Sequence, residues 1–236
     1  MGLGWKALGI VAFGLEVILV GVMQRRGHFR VYPFLFLFSV VLLLAGVVEF
    51  TVWSGSAYVW YYWSNEIILQ VLLLIAMLHF IFVALSADPA RVRKVLLIGT
   101  AILAVSLSLA MLKQTPPPSV PEDRRTTYFM TMLSRNISFC SALLNIVLWN
   151  SLLHYRRRDS QMLMLAAGVG IFTTGKAIGH SMRMIDRDLA IAGNGVVVVS
   201  ALFALAIWVW SCWALRPSRI ADSALDEPAS GNTHLT

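Results

Sequence analysis

The length of its apolar segments constrains this chain more than any other feature. Seven segments of about 20 residues or more, each able to cross a bilayer as a helix, alternate with short polar connections. Hydrophobic residues make up 58% of the chain and charged residues 13%, too few to cover a soluble core of this size. The sequence therefore predicts an all-α polytopic protein embedded in a lipid bilayer. The predicted spans are 5–24, 31–54, 57–86, 92–112, 127–155, 160–184 and 191–215.

The seven predicted spans are expected to form one bundle over residues 1–215. Glu16 interrupts the first apolar segment, which is therefore interpreted as a retained helix rather than a signal peptide. Residues 216–236 are rich in Ser, Ala, Pro, Gly and acids, a composition that predicts a disordered cytoplasmic tail. Cys140 and Cys212 lie within apolar segments and are predicted to be buried thiols.

Basic residues are distributed unevenly between the predicted connections. The connections after the first, third and fifth spans each carry three Lys or Arg, and the tail carries two, whereas the opposite side carries six. Because positive charge concentrates in cytoplasmic loops, the N-terminus is predicted outside and the C-terminus in the cytoplasm of a bacterial inner membrane. The loops also account for the net charge of +7, so no nucleic-acid partner is expected.

The third predicted span begins with an aromatic cluster followed by an acid. Five aromatic residues lie between Tyr58 and Trp63, as is typical of a membrane–water interface, and Glu66 follows where hydrocarbon should begin. A carboxylate at that depth is costly unless it is protonated, paired or hydrated. Other helices are therefore expected to supply its partners.

Polar side chains from four predicted spans fall at a depth similar to that of Glu66. At a rise of ~1.5 Å per residue, all of them lie in the outer half of the bundle. Glu66 is expected at the centre of a polar cavity, countered by Lys176 and Arg135. The same charges could instead serve only to fix the register of the helices. The predicted ligand-binding residues are Glu49, Asn65, Glu66, Arg135, Asn136, Lys176 and His180.

The positions of the candidate ligands disfavour three kinds of cofactor chemistry. His79 lies far deeper in the membrane than His180, so the two are not expected to bind one haem iron. Microbial rhodopsins carry retinal on the seventh helix, whereas Lys176 lies on the sixth predicted span. Zinc-dependent membrane hydrolases use clustered histidines, and the sequence has no His-x-x-x-His pattern. We expect no cofactor, metal or catalytic residue, and an enzyme is not favoured.

The sixth predicted span carries glycines on one face. Gly168, Gly175 and Gly179 are spaced by seven and four residues, a small-residue pattern that lets a neighbouring backbone approach closely. Lys176 and His180 each follow one of these glycines. Close packing of this helix is therefore expected to hold the two basic side chains rigidly.

The aromatic entry to the third span also carries a resemblance. Tyr62-Trp63-x-x-Glu66, in the third of seven helices, resembles a group of uncharacterised bacterial seven-helix membrane proteins, which implies the same fold but no activity. The layout is also similar to the seven-helix sensor regions that precede some bacterial histidine kinases. This chain ends about twenty residues after its last predicted span, so signalling would need a separate partner.

Three functions remain open from the sequence. The first is a sensor, receptor-like or accessory protein that binds a small polar or anionic ligand in the outer half of the bundle and passes a helix shift to a cytoplasmic or membrane protein partner. The second is a secondary transporter or proton-coupled carrier, with Glu66 or His180 carrying protons. The third is a structural subunit of a membrane complex, in which the buried charges only lock the helices together.

Overall fold

Helices account for all regular structure in the part of the chain that the computed structural model describes. That part comprises residues 3–51, 56–85, 93–94, 97–101, 104, 108, 125–154, 160–185 and 187–215. The predicted all-α class is confirmed. The helices are α1 (Leu3–Arg25), α2 (His28–Val31), α3 (Pro33–Thr51), α4 (Ser56–Leu85), α5 (Arg125–His154), α6 (Ser160–Ile185) and α7 (Arg187–Ala214).

Five of these helices are long and apolar enough to cross a membrane, as expected of a polytopic membrane protein. The third helix contains a shorter apolar stretch, Pro33–Val48. Most of the predicted span 92–112 lies outside the described residues, although those described within it are helical. The predicted tail, 216–236, also lies outside them. The five long stretches are Ala7–Arg25, Trp60–Leu85, Arg125–Asn150, Ser160–Ile185 and Leu189–Ala214.

A sharp corner separates α1 from α3, whereas hydropathy predicts a simple connection before a span that starts at residue 31. Gly27 ends α1 with a φ of 74°, in the left-handed region that glycine adopts at little cost. The four residues of α2 follow, and Tyr32 then breaks the helix. Pro33 is the first residue of α3, where a missing N–H leaves no helical hydrogen bond unmade.

Two histidines hold α2 between its neighbours. His28 Nε2 donates to Cys212 O in the last turn of α7 at 2.9 Å, and His79 Nε2 of α4 donates to Val31 O at 3.2 Å. Carbonyls in the last turn of a helix have no partner within that helix, so each imidazole satisfies one of them. On the other ring nitrogen, Gln161 Nε2 of α6 donates to His28 Nδ1 at 3.1 Å.

The six long helices form a closed ring. Following the ring, α1 packs against α3, α3 against α4, α4 against α5, α5 against α6, α6 against α7, and α7 returns to α1. Helix α4 also touches α6 across the bundle. Because α4 and α5 are neighbours on this ring, polar side chains far apart in sequence can meet at one level.

Helices α6 and α7 approach each other closely, as the glycine pattern predicts. A Cβ added at Gly175 would overlap Ser200 Oγ, and one added at Gly179 would lie 2.6 Å from Gly193 O. At Gly168 it would overlap the indole of Trp208. The absence of side chains at these three positions therefore permits the contact.

An aromatic cluster fills the centre of the bundle. Trp208 of α7, Phe38 of α3 and Phe172 of α6 meet with ring centroids 5.7 to 6.0 Å apart. Trp208 is fully buried, and its indole N–H donates to Leu165 O at 3.1 Å. Cys140 and Cys212 are also buried, and neither forms a disulfide, which confirms the prediction for both thiols.

Candidate functional site

A buried ion pair between α4 and α6 is the centre of the candidate site. Lys176 Nζ lies 2.8 Å from Glu66 Oε1 and 2.9 Å from Oε2, so the ammonium group bridges both carboxylate oxygens. Glu66 and Lys176 are only 8% and 6% exposed. Lys176 Nζ also lies 4.8 Å from the ring centroid of Phe172, one turn earlier on α6. The expected pairing of these two charges is therefore present in the structure.

Uncharged donors complete the coordination of the carboxylate. Gln70 Nε2 donates to Glu66 Oε1 at 2.8 Å and also donates to Ser134 Oγ. The Ser134 hydroxyl in turn donates to Glu66 Oε1 at 3.1 Å. Hydrogen bonds to a buried charge offset part of its desolvation cost. The contribution of α5 to this coordination is the hydroxyl group of Ser134.

His180 connects this network to Arg183. Its Nε2 lies 3.1 Å from Ser134 Oγ and 3.4 Å from Glu66 Oε1, and its Nδ1 lies 3.4 Å from Arg183 Nη1. Since Arg183 can only donate, Nδ1 accepts, and the proton of the neutral imidazole is on Nε2. Each group therefore donates to the next: Arg183 to His180, His180 to Ser134, and Ser134 to Glu66.

The network lies at one level, nearer one end of the bundle, and we call this end the site end. It is the end at which α4 and α5 begin and α6 ends. Glu66 lies ~9 Å along the axis from Trp60, and Lys176 and Ser134 each lie ~14 Å from the corresponding ends of their helices. The ion pair is thus within the hydrocarbon depth of a membrane about 30 Å thick.

Positive charge exceeds negative charge among the described side chains in or next to the network. Glu66 is the one described carboxylate there, whereas Lys176, Arg183 and Arg135 are basic side chains. Arg135 follows Ser134 directly on α5. The Nε atoms of Arg135 and Arg183 are both buried, and neither has a hydrogen-bond partner among the described residues. A buried N–H without a partner costs about 1–3 kcal/mol, so both positions favour an additional acceptor.

The structure brings together three of the seven predicted site residues, namely Glu66, Lys176 and His180. Arg135 follows Ser134 on α5 but forms no ion pair with Glu66. Its neighbour Asn136 and the residue before Glu66, Asn65, are half-buried on the flanking surfaces of α5 and α4. Helical geometry explains this, because adjacent residues project about 100° apart. The side chain of Glu49 lies outside the described residues.

Sequence reasoning did not identify Gln70 and Ser134, which are 4% and 0% exposed. Both are uncharged, so neither stands out in a search for intramembrane charges. The spacing could have identified Gln70, since it is four residues after Glu66 and lies on the same face of the helix. Ser134 belongs to a buried polar face of α5, whose members recur every three or four residues: Thr131, Ser134, Ser138, Ser141 and Asn145.

The polar face of α5 stops before the other end of the bundle. Ser138 Oγ donates back to Ser134 O at 2.9 Å, and Asn145 Nδ2 donates to Ala166 O of α6 at 2.8 Å, which is a hydrogen bond between helices. The same face continues with Leu148 and Leu152, both buried. Polar contacts on this face are therefore concentrated toward the site end.

Comparisons with known proteins add no homologue. No family model matches the sequence, no curated protein matches it, and no solved structure matches it. The resemblance of the Tyr62-Trp63-x-x-Glu66 motif to uncharacterised seven-helix proteins is thus carried by the motif and the layout. A functional proposal consequently depends on the geometry of the buried network.

Proposed function

We propose that this protein is a membrane sensor or accessory protein that binds a small anion at the site end of its bundle. The ligand would contact the guanidinium groups of Arg135 and Arg183, beside the Glu66–Lys176 ion pair. Planar guanidinium groups bind carboxylate and phosphate oxygens through paired N–H donors. The protein would pass a change in helix packing to a cytoplasmic or membrane protein partner.

The observation that carries this proposal is the pair of buried arginine Nε–H groups without described partners. Lys176 already neutralises Glu66, because it contacts both carboxylate oxygens. Arg135 and Arg183 are half-buried, and no described carboxylate forms an ion pair with either of them, although unpaired charge is costly within a membrane. An anionic ligand would supply both the missing charge and the missing hydrogen-bond acceptors.

A structural lock explains only part of this arrangement. The contacts of Glu66 with Lys176, Gln70 and Ser134 join α4, α5 and α6, as a register lock would. A lock does not require two additional arginines, since the ion pair already balances its own charge. The unpaired donors therefore favour a binding site in addition to an ion-pair network that fixes the register of the helices.

A proton-coupled transporter is the second candidate. The ordered donors from Arg183 to Glu66 favour it, because hydrogen-bonded chains can move protons. A transport path would also need polar groups toward the other end of the membrane. On α5 the polar face gives way to Leu148 and Leu152 below Asn145, so we place transport second.

The remaining topology is part of the same proposal. We infer seven spans in a bacterial inner membrane, with the N-terminus outside and the C-terminus in the cytoplasm, from the distribution of basic residues between connections. In this orientation the site end faces outward, so the ligand would be an external solute. The basic loops at the opposite end are available to a cytoplasmic partner.

Thermal unfolding in a mild detergent tests the proposed ligand class. The purified protein is heated with chloride, phosphate, sulfate, acetate or succinate at equal ionic strength, since a ligand that binds only the folded state raises the Tm. We expect at least one anion to stabilise the wild type more than the others, and R135Q or R183Q to lose most of that shift.

The matched control is R125Q, which removes an exposed arginine from the start of α5. It should retain the full anion-induced shift. Equal stabilisation by all anions, or an unchanged shift in both R135Q and R183Q, would contradict the binding site. Co-purification of a stable membrane partner together with that result would instead support the structural-subunit function.

A further inference from the structure

Three arginines surround the turn between α1 and α2, at the end of the bundle opposite the site end. Arg25 and Arg26 end α1 and its turn, and Arg30 lies on α2. All three side chains are exposed. We call these three residues the arginine corner. Among the described residues the acidic side chains with known positions are Glu16 and Glu66, and both lie within helices away from this corner.

The arginine corner is held in a fixed position by buried contacts. His28, between Arg26 and Arg30, is fully buried and hydrogen-bonded to Cys212 O of α7. Gln161 of α6 donates to the other nitrogen of the same ring. The turn itself depends on the left-handed conformation of Gly27. The three cations therefore project from a braced turn rather than from a free loop, which lowers the entropy lost when they bind a common ligand.

Exposed tryptophans on α7 lie next to the corner. The guanidinium carbon of Arg26 lies 5.8 Å from the centroid of the Trp213 ring, a cation–π contact. Trp210 is on the same side of α7 one turn earlier, and the two indoles are 62% and 60% exposed, with Trp210 the more exposed. Tryptophan is enriched where hydrocarbon meets the headgroup layer, so the corner has the composition of a membrane interface.

The apolar stretches place the corner at a membrane surface. Ala7–Arg25 and Leu189–Ala214 both end there, and Ser160–Ile185 begins there. Phospholipid headgroups carry their phosphates at this level, beside the ends of the spans. A lipid seated against Trp210 and Trp213 would bring its phosphate within reach of the three arginines, whose charges no described acid balances.

We propose that the arginine corner, together with the adjacent indole of Trp213, is a binding site for the phosphate-bearing headgroup of an anionic phospholipid. This site is independent of the proposed anion site, which lies at the other end of the bundle. The lipid would contribute negative charge through its headgroup and apolar surface through its acyl chains. A bound lipid would stabilise the turn between α1 and α2, which His28 connects to α6 and α7 through hydrogen bonds.

Native mass spectrometry of the detergent-purified protein measures this binding. The protein is titrated with phosphatidylglycerol and, separately, with phosphatidylcholine, which has a phosphate but no net charge. We expect preferential retention of phosphatidylglycerol, and about fivefold weaker retention in each of R26Q and R30Q, since one interfacial arginine contributes about that factor. R125Q removes an arginine at the site end, outside the proposed lipid site, and should leave the retention of phosphatidylglycerol close to that of the wild type.

Two results would overturn the lipid site. One is equal retention of the two lipids by the wild type; the other is equal loss of phosphatidylglycerol in R26Q, R30Q and R125Q, which would indicate unspecific charge attraction. Competition by inorganic phosphate would assign the corner to a soluble phosphate instead of a lipid. Anion-induced stabilisation should persist in R26Q, so failure of the lipid site and failure of the anion site remain distinguishable.

Discussion

At the scale of single residues, Glu66 shows how a carboxylate is accommodated within a membrane helix. Lysine, glutamine and serine side chains from three helices contact its two oxygens, each at 3.1 Å or less. Removing one member of a buried ion pair leaves the other charge unpaired, which costs far more than removing both. The Glu66–Lys176 pair should therefore show strong coupling when the two residues are changed together.

We predict that K176M lowers the free energy of unfolding by about 3–5 kcal/mol, because Glu66 would stay buried without its cation. The double variant E66Q/K176M should be more stable than K176M alone. Denaturant titration in mild detergent measures both values. K94M, which changes an exposed lysine, is the matched control and should be close to neutral. The ion pair would be contradicted if the loss in free energy of unfolding in the double variant equalled the sum of the losses in E66Q and K176M.

His28 is predicted to make stability depend on pH. Burial lowers the pKa of His28 below its ordinary 6.5, and the positive charge of Arg26 lowers it further, although the hydrogen bond to Cys212 O opposes both effects. Above pH 6.5 both the folded and the unfolded chain hold the neutral imidazole. As the pH falls below 6.5, the unfolded chain gains a proton that the folded chain does not, so this part of the stability is lost on acidification.

The measurement compares the wild type with H28Q, whose amide retains a donor for Cys212 O. Between pH ~7.5 and ~5.5 the Tm of H28Q should fall less than that of the wild type. Since other histidines are present in both proteins, the difference between the two slopes reports His28. Identical slopes would show that His28 does not contribute to the pH dependence.

At the scale of helices, the glycines of α6 determine how closely α7 can approach. The backbone of α7 and the side chains of Ser200 and Trp208 occupy the space that a Cβ would need. A neighbouring face of α6, about 100° round the helix, carries Lys176 and His180 toward α4 and α5. One helix therefore combines a face packed on a neighbouring backbone with a face that forms the candidate site.

We predict that G175A and G179A each lower the free energy of unfolding by about 1–3 kcal/mol, because an added methyl group must displace α7. G21A is the matched control, since a Cβ at Gly21 of α1 has no neighbour within 4 Å. Alanine there should stabilise the helix by up to ~1 kcal/mol. The same denaturant titration compares the three variants, and equal tolerance at all three positions would disprove the packing constraint.

The helices show which parts of the structure the sequence could predict. Apolar length predicted the ends of α4, α5 and α6 to within two residues, because in lipid the backbone must form helices wherever a segment is long enough. It did not predict α2, a four-residue helix that depends on Gly27 and on contacts of His28 with distant segments. Short elements of this kind are determined by tertiary contacts, which hydropathy does not report.

The same distinction applies to the candidate site. Because intramembrane charge is costly, the sequence predicted Glu66, Lys176 and His180 as site residues, and the structure brings these three together. Gln70 and Ser134 were missed because amides and hydroxyls are ordinary in membrane helices. Their role depends on α4 and α5 being neighbours, which follows from the ring of helices rather than from any local pattern.

At the scale of the whole molecule, the ring places an ion-pair network and an arginine corner at opposite ends. Charge asymmetry of this kind is what orients helical proteins in a bilayer. If the chain has seven spans, its two termini must lie on opposite sides of the membrane. The orientation of the ends then determines whether the candidate site faces the external medium.

We predict that green fluorescent protein fused after Thr236 is fluorescent in a bacterial host, because the C-terminus is expected in the cytoplasm, where this reporter folds. A fusion after Ser119, beyond the predicted fourth span, should be dark because its reporter would be exported unfolded. Equal expression of the two fusions is checked by immunoblot. The opposite fluorescence pattern would reverse the proposed orientation and place the candidate site on the cytoplasmic side.

An experimental density map of the protein, prepared with its most stabilising anion, tests the central proposal most directly. We predict a non-protein feature within hydrogen-bonding distance of the guanidinium groups of Arg135 or Arg183, next to an intact Glu66–Lys176 pair. The corresponding map of R135Q should lack that feature or show it weakened. Guanidinium groups fully paired with protein atoms, and no such feature in the wild-type map, would contradict an anion site and leave the buried charges as a lock between helices.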